Sequence, residues 1–219
     1  PEILHRARLL ALFDDLLDKK LIIVAAPAGY GKTSLLVDFA RQSEMPVCWL
    51  SLDALDKDPQ RFCAYLIAAL EQRFPKFGKQ SNAVLRSLTN LEGDSERLLS
   101  ALVNEIDGQI GEHFTLVVDD YQCVDTIAPV RDLFSRFVYL AGENCHVVLS
   151  SRRLPTLPDI TLMVAHQQVG GFDLEQLAFR PDEIRALFEM DYGMTLADSA
   201  VEELMQQTEG WITGLHLSA

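Results

Sequence analysis

Apolar runs and amphipathic stretches alternate along most of the chain. Continuous apolar runs predict strands over residues 21–26, 46–52, 114–120 and 145–151. Apolar side chains spaced three and four residues apart predict helices over 9–17, 32–41, 59–73, 96–110 and 130–141. A fifth strand is predicted between residues 160 and 172. Strands that alternate with helices in this way indicate βαβ crossovers, and therefore a mostly parallel sheet covered by helices on both faces.

The pattern becomes purely helical towards the end of the chain. Pro181 suits the first turn of one helix, and residues 195–198 resemble a capping box that opens the next. Gly210 suits a helix end, and a further apolar helical pattern starts in 211–219. Because this last pattern is cut short, we expect the natural protein to continue beyond it.

Composition supports a folded protein with one large domain and an appendage. The chain has 219 residues, of which 48% are hydrophobic and 23% are charged, close to the average of globular proteins. These values exclude a disordered or fibrous chain. We therefore predict a large α/β domain over residues 1–172 and a small helical subdomain over 173–219.

Charge and cysteine content restrict the partners and the compartment. The formal net charge is −13, so we expect no direct contact of this segment with nucleic acid or anionic membranes. No apolar run approaches the ~20 residues that span a bilayer, and no secretory signal is apparent. Cys48, Cys63, Cys123 and Cys145 show no metal-ligand spacing and are expected to be reduced, which favours the cytoplasm.

The strongest chemical signal follows the first strand. Residues 26–33 fit the phosphate-binding pattern G-x-x-x-x-G-K-[ST], with alanine in place of the first glycine. Gly29 and Gly31 allow a tight loop whose backbone N–H groups surround an anion, and the next helix directs its positive end there. Lys32 is predicted to reach the β- and γ-phosphates, and Thr33 to ligate Mg²⁺. The alternative is a glycine turn without a ligand.

The predicted phosphate contacts extend from the loop into the helix. They are Ala28, Gly29, Tyr30, Gly31, Lys32, Thr33 and Ser34. The sequence has no Asn-Lys-x-Asp motif for guanine, which favours adenine. ATP or ADP with Mg²⁺ is therefore the expected ligand.

Two further strands end in charged residues. Asp119 and Asp120 follow a buried apolar run, where ligands of open α/β sheets bind. We expect Asp119 to hold Mg²⁺ and Asp120 to orient or deprotonate an attacking water, although acids at a strand end are also common turn residues. Arg152 follows the fourth strand and is placed to contact the γ-phosphate; the alternative is a solvated arginine pair with Arg153.

Several short motifs in order make the chain similar to one family. The motifs are PAGYGKT at 27–33, WLSLD at 49–53, RF at 61–62, YLIAAL at 65–70, DDY at 119–121, SR at 151–152 with Pro155, QLAF at 176–179 and GW at 210–211. With these motifs the chain resembles the nucleotide-binding domain of the STAND class of signal-transduction ATPases, and within it the large LuxR-type bacterial transcription activators.

The resemblance implies a fold and a set of nucleotide contacts. It implies a P-loop NTPase of three α/β/α layers, with a five-stranded parallel sheet in the order 5-1-4-3-2 and a helical subdomain that closes over the nucleotide. Residues 3–8 would lie against adenine, which makes Arg8 a candidate nucleotide contact. Arg152 matches the arginine that senses the γ-phosphate. Gly210-Trp211 stands where relatives carry a Gly-x-Pro nucleotide contact, but no proline follows here.

The resemblance also implies a function. Such domains are slow regulatory ATP hydrolases, in which ADP holds a closed monomer and ATP favours a self-associating form. DNA contact would belong to a C-terminal module outside this segment. Two alternatives remain open: a nucleotide-binding interaction module without turnover, and a P-loop kinase, which would need more arginines than Arg180 and Arg185 in the region after the sheet.

Overall fold

A parallel sheet of five strands forms the centre of the protein. The computed structural model describes residues 3–88 and 91–211. The strands are β1 (Leu21–Ala25), β2 (Val47–Ser51), β3 (Phe114–Asp119), β4 (Cys145–Ser151) and β5 (Val169–Phe172). Every pair of neighbours is parallel, and the order is β2-β3-β4-β1-β5. The predicted order 5-1-4-3-2 is therefore confirmed, with β4 between the loop strand and the acidic strand.

Helices connect the strands and cover both faces of the sheet. They are α1 (Ala7–Leu16), α2 (Lys32–Gln42), α3 (Pro59–Arg73), α4 (Lys79–Ser87), α5 (Leu91–Gln109), α6 (Ala128–Leu140), α7 (Ile160–Ala165), α8 (Leu174–Leu177), α9 (Pro181–Tyr192) and α10 (Asp198–Thr208). Two 3-10 turns span Ala54–Lys57 and Tyr121–Cys123. No helix within the described residues is long and apolar enough to cross a membrane.

Alternate residues of the central strands point to opposite faces and so build two cores. Leu21 and Ile23 join a large apolar cluster with α3, α5 and α6. Ile22 and Val24 join a second cluster with α1 and α2. Because both faces of β1 are buried, its sequence is a continuous apolar run rather than an alternating one. The result is the predicted three-layer α/β/α arrangement.

A third, smaller core lies among the helices after β5. Its buried members come from α9, α10 and the segment before them: Phe179, Ile184, Leu187, Phe188 and Val201. This separate core is consistent with a helical subdomain, although the boundary at residue 172 stays a prediction. The apolar pattern predicted in 211–219 falls largely outside the described residues.

Three local expectations differ from the structure. The capping box predicted at 195–198 is wrong: Ala197 is the N-cap of α10, and the Asp198 carboxylate accepts a hydrogen bond from Arg185 at 2.6 Å instead. The interval 160–172 holds α7 before β5, because its first half packs as a helix through the buried Met163. Helix α4 was not predicted, since its only apolar residues are the three consecutive ones at 83–85, which do not repeat at helical spacing.

Candidate functional site

The loop between β1 and α2 forms the floor of the candidate site. Gly29 and Gly31 adopt left-handed backbone conformations, with φ of 86° and 72°. Glycine takes such angles without the steric cost that a β-carbon brings, which allows the tight loop. A cavity of about 310 Å³ opens over it. Its lining residues are Ala28, Gly29, Gly31, Lys32, Thr33, Ser34, Asp120 and Arg152.

The structure thus brings together most of the side chains that were predicted from three separate strand ends. The exception within the loop is Tyr30, which packs against the apolar cluster between the sheet and helices α1 and α2. Its backbone remains part of the loop.

Lys32 bends back over the loop that precedes it. Its ammonium donates to the carbonyl oxygens of Ala26 at 2.7 Å and Pro27 at 2.9 Å. Burial lowers the pKa of Lys32, an effect that the nearby carboxylates of Asp119 and Asp120 oppose. A buried cation with two neutral partners is well placed to exchange them for an anion.

Thr33 and Asp119 present oxygen atoms side by side. The Thr33 hydroxyl donates to Asp119 Oδ2 at 2.8 Å, and Asp119 Oδ1 accepts from the Asp120 backbone N–H at 3.0 Å. Asp119 is only 3% exposed because it ends the buried strand β3. A hydroxyl and a carboxylate are both ligands that Mg²⁺ prefers, so the pair fits the predicted metal role.

Gln122 connects the acidic strand to the arginine strand. Its amide nitrogen donates to Asp120 Oδ1 at 2.6 Å, and its amide oxygen accepts from the Arg152 backbone N–H at 3.0 Å. Asp120 itself has a φ of 59°, an uncommon conformation for a residue other than glycine. Sequence reasoning missed Gln122, because a lone glutamine beside an acidic pair carries no recognisable pattern.

Arg8 lies apart from the phosphate cavity. Its guanidinium donates to the Gln176 and Ala178 carbonyls at 2.7 and 3.3 Å and to the Glu183 carboxylate at 3.1 Å. Arg6, which is 4% exposed, donates to the same carboxylate at 2.8 Å. The two arginines therefore attach the N-terminal segment to α9. A contact of Arg8 with adenine stays a prediction.

Glu183 is held ionised by these partners. Burial alone would raise the pKa of its carboxyl, but hydrogen bonds from Arg6, from the Arg180 backbone and from Arg8 together lower it. The carboxylate thus links the start of α1 to the start of α9.

The Gly210-Trp211 motif contacts the loop itself. The Trp211 indole N–H donates to the Ala28 carbonyl at 2.9 Å. The carbonyl of Gly210 accepts from the Phe179 backbone N–H at 2.9 Å. The sequence motif pointed to this segment, but not to a bond with the loop backbone.

The strand order and the glycine loop define an α/β fold of the P-loop NTPase class, and comparison with solved structures agrees. A STAND protein with a tetratricopeptide repeat sensor from Pyrococcus horikoshii matches with a TM-score of 0.67 at 18% identity, over 99% of this chain and 30% of that one. Cdc6p from Pyrobaculum aerophilum matches with a TM-score of 0.58 at 17% identity, over 100% of this chain and 58% of that one.

Among curated proteins, the chain is similar to the HTH-type transcriptional regulator MalT. Identity to MalT of Yersinia pestis (strain Pestoides F) is 31% over 214 residues, which is 98% of this chain. MalT of Yersinia enterocolitica is also 31% identical, over 215 residues. The chain spans only 23% of the length of these relatives. No family model matches the chain. The predicted resemblance to STAND ATPases and large bacterial transcription regulators is therefore confirmed.

Proposed function

We propose that this chain is the ATP- and ADP-binding switch domain of a larger signal-transducing transcription regulator. The observation that carries the proposal is the cavity in which the glycine loop, Lys32, the Thr33–Asp119 pair and Arg152 converge. A bare glycine turn would not need a buried lysine beside two carboxylates. The similarity to MalT supports the regulatory context, and the acidic surface supports placing DNA contact in another module.

Each side chain in the cavity has a distinct role in this proposal. Lys32 exchanges its two carbonyl partners for the β- and γ-phosphates, and the loop N–H groups surround the same anion. Thr33 and Asp119 would hold Mg²⁺, which neutralises phosphate charge when it is bound. Asp120 orients or deprotonates the attacking water, and Gln122 keeps the Asp120 carboxylate in place. Arg152 contacts the γ-phosphate of ATP, and it has no equivalent contact with ADP, which lacks that phosphate.

The regulatory cycle follows from that last difference. ATP and ADP differ only at the γ-phosphate, so a switch requires a residue whose contact depends on it. Arg152 lies at the end of β4, next to β1, and its backbone is tied through Gln122 to Asp120. We infer that ADP favours a closed resting form, that ATP favours a self-associating form, and that slow hydrolysis restores the first. The expected compartment is the cytoplasm.

Identification of the bound nucleotide tests the ligand. The purified chain is denatured, and any released nucleotide is identified by chromatography; ADP is the expected product of a resting switch. Lys32→Ala should lose nucleotide binding and keep the circular dichroism spectrum of the parent. Lys76→Ala, at an exposed lysine outside the cavity, is the matched control. An empty chain that shows no thermal shift with Mg-ATP or Mg-ADP would contradict the proposal.

A second variant separates turnover from binding. Asp120→Asn should retain ATP affinity but reduce single-turnover hydrolysis by about a hundredfold, because general-base catalysis contributes about 10²–10⁴-fold. Equal, measurable hydrolysis in parent and variant would contradict the role of Asp120. If neither protein hydrolyses bound ATP, the chain is an interaction module without turnover.

The kinase alternative has less support in the structure. A lid that closes on a phosphoryl acceptor would need free arginines after the sheet, whereas Arg185 is engaged with Asp198. Phosphate released to water, rather than to an added hydroxyl acceptor, would separate hydrolase from kinase.

A further inference from the structure

Trp211 contacts the phosphate loop from the outside. Its indole N–H donates to the carbonyl oxygen of Ala28, at the point where the loop turns. Ala28 and the following Gly29 both line the cavity. The tryptophan therefore touches the backbone that would surround the phosphates, and not the space that they would occupy.

The geometry of a peptide bond gives this contact a directional effect. The carbonyl of Ala28 and the N–H of Gly29 belong to one peptide unit, and in a trans peptide these two groups point in opposite directions. A bond that holds the carbonyl towards Trp211 therefore turns the Gly29 N–H away from Trp211. Within residues 3–88 and 91–211, no acceptor is bonded to the N–H of Gly29. That donor is left available for an anion in the cavity.

The segment that carries Trp211 is itself held in place. The Trp211 backbone N–H donates to the Thr208 carbonyl at 2.9 Å. Gly210 has a φ of 76°, and a β-carbon on it would lie 2.6 Å from the Phe179 carbonyl oxygen, so no other residue fits there without movement. Phe179 in turn borders the loop, because a β-carbon placed on Gly31 would lie 3.7 Å from its ring. The indole therefore approaches Ala28 from a fixed turn.

We propose that Trp211 is a positioning residue for phosphate binding: it holds the Ala28 carbonyl outward so that the Gly29 N–H faces the phosphates. The inference rests on the proposed nucleotide-binding function and goes further, because it makes phosphate affinity depend on the turn after α10. When that turn moves away, the loop loses the bond that orients its peptide. The helical region thus adjusts nucleotide affinity without contacting the nucleotide.

The test removes one N–H group and keeps the shape of the side chain. In a Trp49→Phe background Trp211 is the sole tryptophan, and it is replaced with benzothienylalanine, in which sulfur stands in place of the indole N–H. Affinities for ADP and for adenosine are measured by calorimetry on nucleotide-free protein. Trp49→Phe alone is the matched control, because it removes another indole hydrogen bond, to Ser51, on strand β2.

We expect the ADP dissociation constant to rise about three- to tenfold, which is the effect expected from the loss of one hydrogen bond. The dissociation constant of adenosine should stay unchanged. Trp211→Phe should have an effect of similar size. Unchanged ADP affinity in both variants overturns the inference. So does an equal loss for ADP and adenosine, since that pattern indicates a general structural role. Failure of the parent protein to bind ADP overturns the proposed function first.

Discussion

Different interactions stabilise the sheet and the helical region after β5. The sheet buries a continuous apolar core, with rings such as those of Phe62 and Phe134 fully enclosed. Among its described residues, the helical region has a small cluster of five buried apolar side chains, and it joins the rest partly through polar bonds, notably Glu183 with Arg6 and Trp211 with Ala28. Apolar burial is non-directional, whereas these hydrogen bonds depend on the positions of particular partner atoms. We therefore expect the sheet and its core to be the more stable region, and the helical region after β5 to move more easily.

Loss of a core ring should produce the largest effect. Phe134 is fully buried and contacts Phe62, Tyr121 and Phe137 with ring centroids 5.3–6.3 Å apart. Phe134→Ala should lower the free energy of unfolding by about 3–5 kcal/mol, measured by urea denaturation. Leu154→Ala, at a side chain that is 75% exposed, is the control and should change it by less than about 0.5 kcal/mol. A small effect of Phe134→Ala would refute the picture of a tightly packed body.

Loss of the buried carboxylate should have a smaller and local effect. Glu183→Gln leaves Arg6 without its charged partner in a site that is 4% exposed, at a cost of about 2–4 kcal/mol. Hydrogen exchange should accelerate in α9 and α10 and stay slow in β1, β3 and β4. Glu202→Gln, on the exposed side of α10, is the matched control. Equal acceleration in the sheet would mean that the two regions unfold as one unit.

Acid should reproduce the effect of that variant. Because the pKa of Glu183 is lowered in the folded protein, its ion pair stabilises the fold above the ordinary carboxyl pKa of 4.5, and this contribution is lost as pH falls through the lowered value. The stability difference between the parent and Glu183→Gln should therefore be constant from pH 7 to about 5 and shrink below about 4. A difference that grows on acidification would contradict this assignment.

Cysteine reactivity tests whether the helical region can loosen without opening the core of the sheet. The structure leaves all four cysteines unpaired; burial raises the pKa of Cys48, Cys63 and Cys145 to about 12, and Cys123 is half-buried. Burial and the nearby Asp120 carboxylate also raise the pKa of Cys123, but its thiol is partly exposed, so it should be the one thiol that reacts with a disulfide reagent at pH 8. The count should stay at one in Glu183→Gln, since loosening the helical region leaves the sheet core closed. Rapid reaction of further thiols in the variant would show that the loosening spreads.

The sequence predicted best the helices and strands that have a strong local pattern of apolar residues. The bounds of β4 and α3 match the prediction because an uninterrupted apolar run and a helix-spaced one leave few alternatives. The residues of the phosphate cavity were predicted from strand ends, since parallel strands place their carboxyl ends at one edge.

What the sequence did not reveal depends on distant partners. Gln122 gains a role only when β3 and β4 are adjacent, and Trp211 only when the chain returns to Ala28. Arg8 was expected beside a nucleotide, and the structure shows it bonded to Glu183, a partner far along the chain. Neither local pattern nor composition records such pairings.

The position of β1 in the sheet also affects how the domain folds during synthesis. Leu21 aligns with Val147 on one side and Val169 on the other, so the strand before the phosphate loop has no neighbouring strand until β4 has left the ribosome. Contacts this distant in sequence slow folding, and meanwhile an apolar strand stays exposed. The nucleotide site therefore cannot form before β4 has been synthesised, because in a nascent chain that ends before β4 the strand that carries the phosphate loop lacks both of its neighbours.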